Sequence, residues 1–181
     1  MPARTHKPRR IVTRLDEQGQ SRIACDEELS EIDYDAADPG IEQFYPGWSQ
    51  GLHPEIRIVW GTENLPFRNP EQQDAPPSPQ GLMAVGRPFV RMSHITYPAG
   101  WEGLPFWSET TDVIWLISGE LTFITDSGEE ATLKAGDTLV QNATNKSIHN
   151  RGAVPAVMAA VMCASERVGP SPPRCQCVNR S

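Results

Sequence analysis

The chain has 181 residues, with 16 Lys and Arg against 23 Asp and Glu, which gives a formal net charge of −7. This acidic balance gives no reason to expect nucleic acid or an anionic membrane surface as a partner. No stretch approaches the roughly 18 uncharged apolar residues that a membrane-spanning helix needs, so we expect no transmembrane segment.

The first ten residues are basic, but no apolar segment follows them, so we expect no secretory signal. Without a signal, the four cysteines are expected to be thiols in a reducing compartment, and we predict a cytoplasmic protein. Cys175 and Cys177 lie close together near the end of the chain, but no second pair with zinc-site spacing accompanies them.

The length suits one globular domain, and the 17 prolines, about twice the average share, predict long irregular segments. We predict loops at residues 38–51 and 71–80. Residues 1–10 are expected to form a flexible arm, residues 11–165 a single domain, and residues 166–181 a tail. Within the domain, residues 11–87 are an irregular N-terminal extension and residues 88–163 are the core.

Short strands are predicted along most of the domain. An irregular hairpin is expected within residues 11–35 and a short buried strand at residues 56–60. A strand follows at residues 89–97, then two strands within 110–125, two within 129–142 and a last one at 156–164. Turn signals separate these runs at spacings of about 8–12 residues, which predicts an all-β sandwich or small barrel.

Three turns stand in order along the second half of the chain: PAG at residues 98–100, SGE at residues 118–120 and LKAGD at residues 133–137. With the segment 141–150 that follows, they resemble the two motifs of the small single-domain cupins. The resemblance is strong over residues 88–163 and fainter over residues 8–68. It implies an all-β fold, a single jelly-roll barrel known as the double-stranded β-helix.

The resemblance also implies where a metal would be held, because cupins usually gather three histidines and one carboxylate around a divalent ion. The matching positions here are Phe106, Ser108, Asp112 and Lys146. Only Asp112 can act as such a ligand, and Lys146 is a cation that repels a metal. We therefore predict that the protein holds no metal and needs no cofactor. A metal site with differently aligned ligands is the alternative.

Asp112 and Lys146 are both expected to project into the barrel from facing strands. Desolvation lowers the pKa of a lysine, while a neighbouring opposite charge keeps a carboxylate ionised. Such a pair can perform general acid–base catalysis, and a desolvated lysine can also attack a carbonyl carbon. The competing interpretation is a structural salt bridge that fills an abandoned metal site.

Further candidates complete the predicted pocket. Phe106 and Trp107 would form an aromatic wall, although barrel packing explains them equally well. Polar contacts would come from Ser108 and Gln141, and apolar contacts from the inward-facing Ile114 and Leu116. His94 is a candidate proton shuttle, but its strand alternates in a way that leaves its face undecided. Trp115 is out of phase with its neighbours and is expected to face outward.

Taken together, these residues predict a metal-independent enzyme that acts on a small, largely apolar, oxygenated molecule. By resemblance, the reaction is that of a dehydratase or other lyase, an isomerase or a cyclase in secondary metabolism. The alternatives are a non-catalytic binding protein or pseudoenzyme, and a metalloenzyme whose ligands are aligned differently. The expected partner is a small-molecule substrate, with no nucleic acid or membrane, and a homodimer is considered as the assembly.

Overall fold

The computed structural model describes residues 8–31, 53–62 and 89–166, which form β-strands and their connections. Ten strands follow one another along these segments: β1 (Arg9–Leu15), β2 (Ser21–Glu28), β3 (Glu55–Thr62), β4 (Val90–Tyr97), β5 (Thr110–Ser118), β6 (Glu120–Thr125), β7 (Glu130–Lys134), β8 (Thr138–Asn142), β9 (Lys146–His149) and β10 (Ala156–Ala164). Across these described segments we find no helix that is long and apolar enough to span a membrane. The predicted all-β fold is confirmed.

The strands form three antiparallel sheets. A five-stranded sheet has the order β3-β4-β10-β5-β8, and a three-stranded sheet has the order β7-β6-β9. Strands β1 and β2 make a separate hairpin, which the buried guanidinium of Arg10 ties down by hydrogen bonds to Glu27 and to the Val59 carbonyl. β1 begins at Arg9, so the last two residues of the segment predicted as a flexible arm are part of this hairpin.

The core lies between the two larger sheets. Successive side chains of a strand point to opposite faces, so each sheet buries one face in this core. On β5, Ile114 and Leu116 are buried, whereas Trp115 is 42% exposed on the opposite face, as predicted. Buried apolar side chains from both sheets form one cluster that includes Ile56, Ile95, Leu121, Phe123, Leu133 and Ile148. Burial of this kind contributes roughly 25 cal/mol per Å² of apolar surface, so it dominates the stability of the fold.

Most predicted strands have the expected positions. The run 110–125 forms β5 and β6 around Gly119, and the run 129–142 forms β7 and β8 around the turn at residues 135–137. β3 is longer than the predicted strand at 56–60, and β9 is the strand on which Lys146 was expected, although no bounds were predicted for it. The predicted loops at 38–51 and 71–80 and the tail with Cys175 and Cys177 lie outside the described residues.

Asn150 joins the loop after β9 to the end of β4. Its side chain is fully buried, and its amide nitrogen lies 3.1, 3.0 and 2.9 Å from the carbonyl oxygens of Tyr97, Pro98 and Val154. Its amide oxygen accepts a hydrogen bond from the Gly152 N–H. A buried polar group left without a partner costs about 1–3 kcal/mol. We expect Asn150→Leu to lower the free energy of unfolding by about 3 kcal/mol, measured by urea denaturation.

The matched control is Asn142→Leu, because Asn142 is exposed at the end of β8. This substitution is expected to change the free energy of unfolding by about 0.5 kcal/mol or less, as surface substitutions usually do. Equal effects of the two substitutions would show that the Asn150 hydrogen bonds do not fasten the barrel.

Candidate functional site

A row of mostly polar side chains crosses the inner face of the five-stranded sheet. Directly opposed residues of antiparallel strands share a face. Gln141 on β8 is opposite Asp112 on β5, Asp112 is opposite Met162 on β10, and Met162 is opposite Arg91 on β4. Gln141, Asp112 and Arg91 are all buried. The register therefore brings Gln141 and Asp112, predicted as site residues, into one group.

Lys146 approaches this group from the three-stranded sheet. It is the first residue of β9, and its side chain is 5% exposed. The backbones of Lys146 and Phe106 exchange two hydrogen bonds of 2.8 and 2.9 Å, which extends the sheet by one short segment. This pairing places the Lys146 Nζ 4.3 Å from the centre of the Phe106 ring. A cation over an aromatic face gains about 0.5–2 kcal/mol, so Phe106 supports the buried ammonium.

Apart from the contact with the Phe106 ring, little balances the positive charge of the buried Lys146 ammonium. Nζ has no hydrogen-bond partner, and the Asp112 carboxylate acts on it only through its charge. Desolvation by burial lowers the pKa of Lys146 from 10.5 to about 8, and the charge of Asp112 limits this decrease. The direct salt bridge considered in the sequence analysis is therefore not formed. Instead, the interior contains a lysine that can change its protonation state close to neutral pH.

The carboxylate of Asp112 is linked to Ser108 through the hydroxyl group of Thr110. The Ser108 Oγ and Thr110 Oγ1 are 2.7 Å apart, and the Thr110 side chain hydrogen-bonds to Asp112. Burial raises the pKa of Asp112, whereas this hydrogen bond and the positive charges of Lys146 and Arg91 act in the opposite direction. Ser108 is thus an indirect neighbour of the carboxylate.

Several buried polar atoms in this interior have no hydrogen-bond partner: the Lys146 Nζ, the Asp112 Oδ1, the Gln141 Oε1 and the Ser93 Oγ. The Gln141 amide is oriented by bonds from Nε2 to the carbonyl and the hydroxyl of Thr144, at 3.1 and 3.2 Å. Buried polar atoms in folded proteins are nearly always satisfied by protein, water or ligand. This concentration of unsatisfied atoms makes the interior the candidate binding site.

Arg91 is a member of this group that the sequence analysis did not select. It is 2% exposed, its guanidinium lies 5.1 Å from the centre of the Phe89 ring, and its charge acts on Asp112. In the sequence, Arg91 alternates with Met92, and neither face of β4 is clearly more apolar. The pairing of Arg91 with Met162 on β10 decides the orientation, and a single sequence carries no signal for it.

The structure places the remaining predicted site residues in different parts of the fold. His94 lies on the outer face of β4, opposite Arg57 of β3, where desolvation and the charge of Arg57 lower its pKa. The structure therefore does not bring His94 to the lysine. Ile114 and Leu116 both belong to the buried apolar core, and Ile114 also lies in the row next to Asp112. Trp107 is half-buried beside Phe106 in the chain.

The five-stranded and three-stranded antiparallel sheets pack on each other to form a barrel. The PAG, SGE and LKAGD turns all lie at the ends of its strands. The fold is a cupin-type barrel. No protein-family model and no curated protein matches the sequence.

Solved structures similar to this chain include three cupins. One is an RmlC-like cupin family protein from Methanocaldococcus jannaschii (22% identity, 41% of this chain and 70% of that chain, TM-score 0.39). Another is a cupin domain from Bordetella pertussis Tohama I (17% identity, 41% and 80%, TM-score 0.37). The third is a Cupin 2 conserved barrel domain protein from Salinispora arenicola (12% identity, 62% and 76%, TM-score 0.42).

The metal that cupins usually hold does not fit these residues. Phe106 and Lys146 occupy two of the expected ligand positions, and the lysine is buried with its ammonium in the interior. Nowhere in segments 8–31, 53–62 and 89–166 do three His, Cys, Asp or Glu side chains come together as a metal site. We expect purified protein to contain well below one divalent ion per chain by plasma mass spectrometry. A stoichiometric ion that is lost to a chelator together with activity would contradict this expectation.

Proposed function

We propose that this cupin-type protein is a metal-independent enzyme that moves a proton on a small, largely apolar carbonyl compound, as an isomerase, dehydratase or cyclase does. The observation that carries the proposal is the Lys146 Nζ, which is buried, has no hydrogen-bond partner and lies within electrostatic range of Asp112. A proton-transfer group works best when its pKa is close to the working pH. The pKa of Lys146, lowered to about 8, meets that condition.

The proposed reaction begins with the neutral amine of Lys146. It takes a proton from the carbon next to the substrate carbonyl, and the electron pair of that C–H bond forms an enolate. The resulting ammonium returns the proton to another carbon, which isomerises the substrate, or to a departing hydroxyl group, which leaves as water. Throughout the cycle the negative charge of Asp112 stabilises the ammonium form.

Phe106 and Asp112 prepare the lysine for this work in different ways. The ring of Phe106 excludes water from one side of Nζ while its face still attracts the cation. Asp112 is oriented through Thr110, so its charge stays on the lysine side of the barrel. His94 has no part in the proposed chemistry because it lies on the outer face of the sheet. We further propose a cytoplasmic location, as the sequence predicts, for an enzyme with the free thiols Cys25 and Cys163.

Proton exchange tests this proposal without knowledge of the true substrate. The protein is incubated in D₂O, with a chelator present, with a panel of ketones and hydroxyketones that carry aliphatic or aromatic groups. We expect ¹H NMR to show loss of the protons next to the carbonyl group for at least one compound. The loss should be absent with Lys146→Met and retained with Lys134→Met, since Lys134 is exposed on β7.

Two other outcomes separate the alternatives. Compounds that bind, by ligand-detected NMR, but exchange no protons would make the barrel a binding protein rather than an enzyme. A compound that becomes covalently fixed to Lys146 on borohydride reduction would show that the lysine acts as a nucleophile through a Schiff base. Either result would overturn the proton-transfer role.

A further inference from the structure

We propose that two copies of this chain associate through the free edge of β8, with the two β8 strands antiparallel and a two-fold axis at Val140. The two five-stranded sheets would then form one continuous sheet. The homodimer considered in the sequence analysis thereby gains a defined surface. This association does not depend on the function proposed for the barrel interior.

β8 differs from the other edge strands of the described segments. Its sequence, TLVQN, contains no charged residue and no proline, although it lies at one end of the five-stranded sheet. At the opposite end, β3 carries Glu55 and Arg57, and both strands of the separate hairpin are also charged. In the three-stranded sheet, β7 carries Glu130 and Lys134, and β9 is covered by its pairing with Phe106. Charges, prolines and covering segments prevent edge strands from pairing with other chains, and β8 lacks them.

The backbone groups of alternate β8 residues point to this free edge. The Ala143 N–H donates to the Thr110 carbonyl, and this bond fixes the phase of the ladder between β5 and β8. In an antiparallel ladder, hydrogen-bonded residues alternate with residues whose N–H and C=O groups point away from the neighbouring strand. The groups that point away from β5 are therefore those of Thr138, Val140 and Asn142. In the described part of the chain, no backbone hydrogen bond reaches them.

The strand is complementary to a second copy of itself. With the axis at Val140, this residue is opposite its own copy, and Thr138 is opposite Asn142 of the other copy. Each opposed pair can exchange two hydrogen bonds, because all three residues direct their N–H and C=O groups to the edge. Asp137 would be opposite Ala143, so no like charges meet across the axis.

Exposed apolar side chains lie beside this edge on the outer face of the sheet. Val140 is 55% exposed and lies opposite Val113 on β5, and the exposed Trp115 is opposite Thr138. The two valines of each copy would form one apolar row across the axis. The five residues of β8 are only about 17 Å long, and interfaces below about 1,200 Å² are typical of weak association. We therefore expect a reversible dimer with a Kd in the micromolar range.

Sedimentation velocity at low ionic strength, between about 5 and 500 µM protein, measures this association. The unmodified protein should shift from monomer to dimer across the range. Val140→Lys would place two like charges on the axis and should weaken the association at least about tenfold. Val154→Lys is the matched control, because Val154 is 60% exposed in the loop before β10, and its association should equal that of the unmodified protein. An equimolar mixture of Val140→Lys and Val140→Glu should dimerise again, since opposite charges then meet on the axis.

Amide hydrogen exchange locates the interface residue by residue. As the protein concentration rises, we expect protection to increase at Thr138, Val140 and Asn142. Leu139 and Gln141 should be protected at every concentration, because their backbone groups bond to β5. A protein that stays monomeric at 500 µM, a dimer that Val140→Lys does not weaken, or a mixture of the two variants that stays monomeric would overturn the proposal. Protection of the β8 edge in the monomer would also overturn it, because another part of the chain would then cover this edge.

Discussion

Replacement of Lys146 by Met is expected to lower turnover by a factor of about 10²–10⁴, which is the usual contribution of a general acid or base. The methionine side chain fills a similar volume and packs well on the Phe106 ring, so the site keeps its shape while it loses the proton-carrying group. The measurement is the rate of proton exchange on whichever compound the unmodified protein accepts. Lys134→Met is the control, and its rate should equal that of the unmodified protein.

The same substitution is expected to stabilise the fold at neutral pH. Lowering the pKa of Lys146 from 10.5 to about 8 costs the charged, folded state roughly 3 kcal/mol, since one pKa unit is worth about 1.4 kcal/mol. Between pH 8 and 10.5 the unfolded chain binds more protons than the folded chain, so the stability of the unmodified protein rises with pH in that window. Lys146→Met removes the cost, and its advantage should shrink as pH rises above 8.

Urea denaturation at pH 7 and at pH 10 measures this difference. Loss of Lys146 also takes a positive charge away from Asp112, which offsets part of the gain. A variant that is several kcal/mol less stable at pH 7 would mean that the lysine and the carboxylate form a tight buried pair after all. In that case the structural interpretation of the two residues replaces the catalytic one.

Gly119→Ala is expected to lower the free energy of unfolding by about 3 kcal/mol, as much as Asn150→Leu. Gly119 has a φ of +76° at the turn between β5 and β6, where a residue with a side chain is strained by about 1 kcal/mol or more. A Cβ atom there would also lie 2.7 Å from the Ala156 Cα and 2.8 Å from the Pro155 carbonyl oxygen. Overpacking of this kind typically costs a further 1–3 kcal/mol.

Gly128→Ala provides the matched comparison, because Gly128 has a φ of +86° and an added Cβ would meet no atom within 4 Å. It carries the conformational strain without the steric clash, so we expect a loss of only about 1 kcal/mol. Both variants are measured by urea denaturation monitored by tryptophan fluorescence. If the two losses are equal, the contact between the SGE turn and the start of β10 does not hold the barrel together.

The turns made much of the fold predictable. Gly119 and Gly136 both have positive φ angles, which glycine adopts without strain, so they indicate the turns between β5 and β6 and between β7 and β8. The regular alternation of β5 likewise predicts that Asp112 and Ile114 face inward and that Trp115 faces outward, as the structure has them. These features are local, and a single sequence contains them.

The orientation of the other site residues depends on pairing and packing between strands that are distant in the sequence. β4 has polar and apolar residues on both faces, so only its register with β10 and β3 places Arg91 inside and His94 outside. The register of β3 shifts between Ile58 and Trp60, and no sequence pattern indicates where. The spacing between Lys146 and Asp112 likewise depends on how two sheets pack. For that reason the sequence predicts that the two residues face each other but not that they remain unpaired.

A desolvated lysine, Lys146, lies in the interior of the barrel, and its pKa tests this placement most directly. The chain contains three lysines, Lys7, Lys134 and Lys146, so labelling with ε-¹³C lysine gives a simple NMR spectrum. The signal that disappears in Lys146→Met belongs to the buried residue. We expect this signal to titrate near pH 8 in the unmodified protein. Titration of the same signal near pH 10.4, the ordinary value for a hydrated lysine, would contradict both the buried ammonium and the chemistry proposed for it.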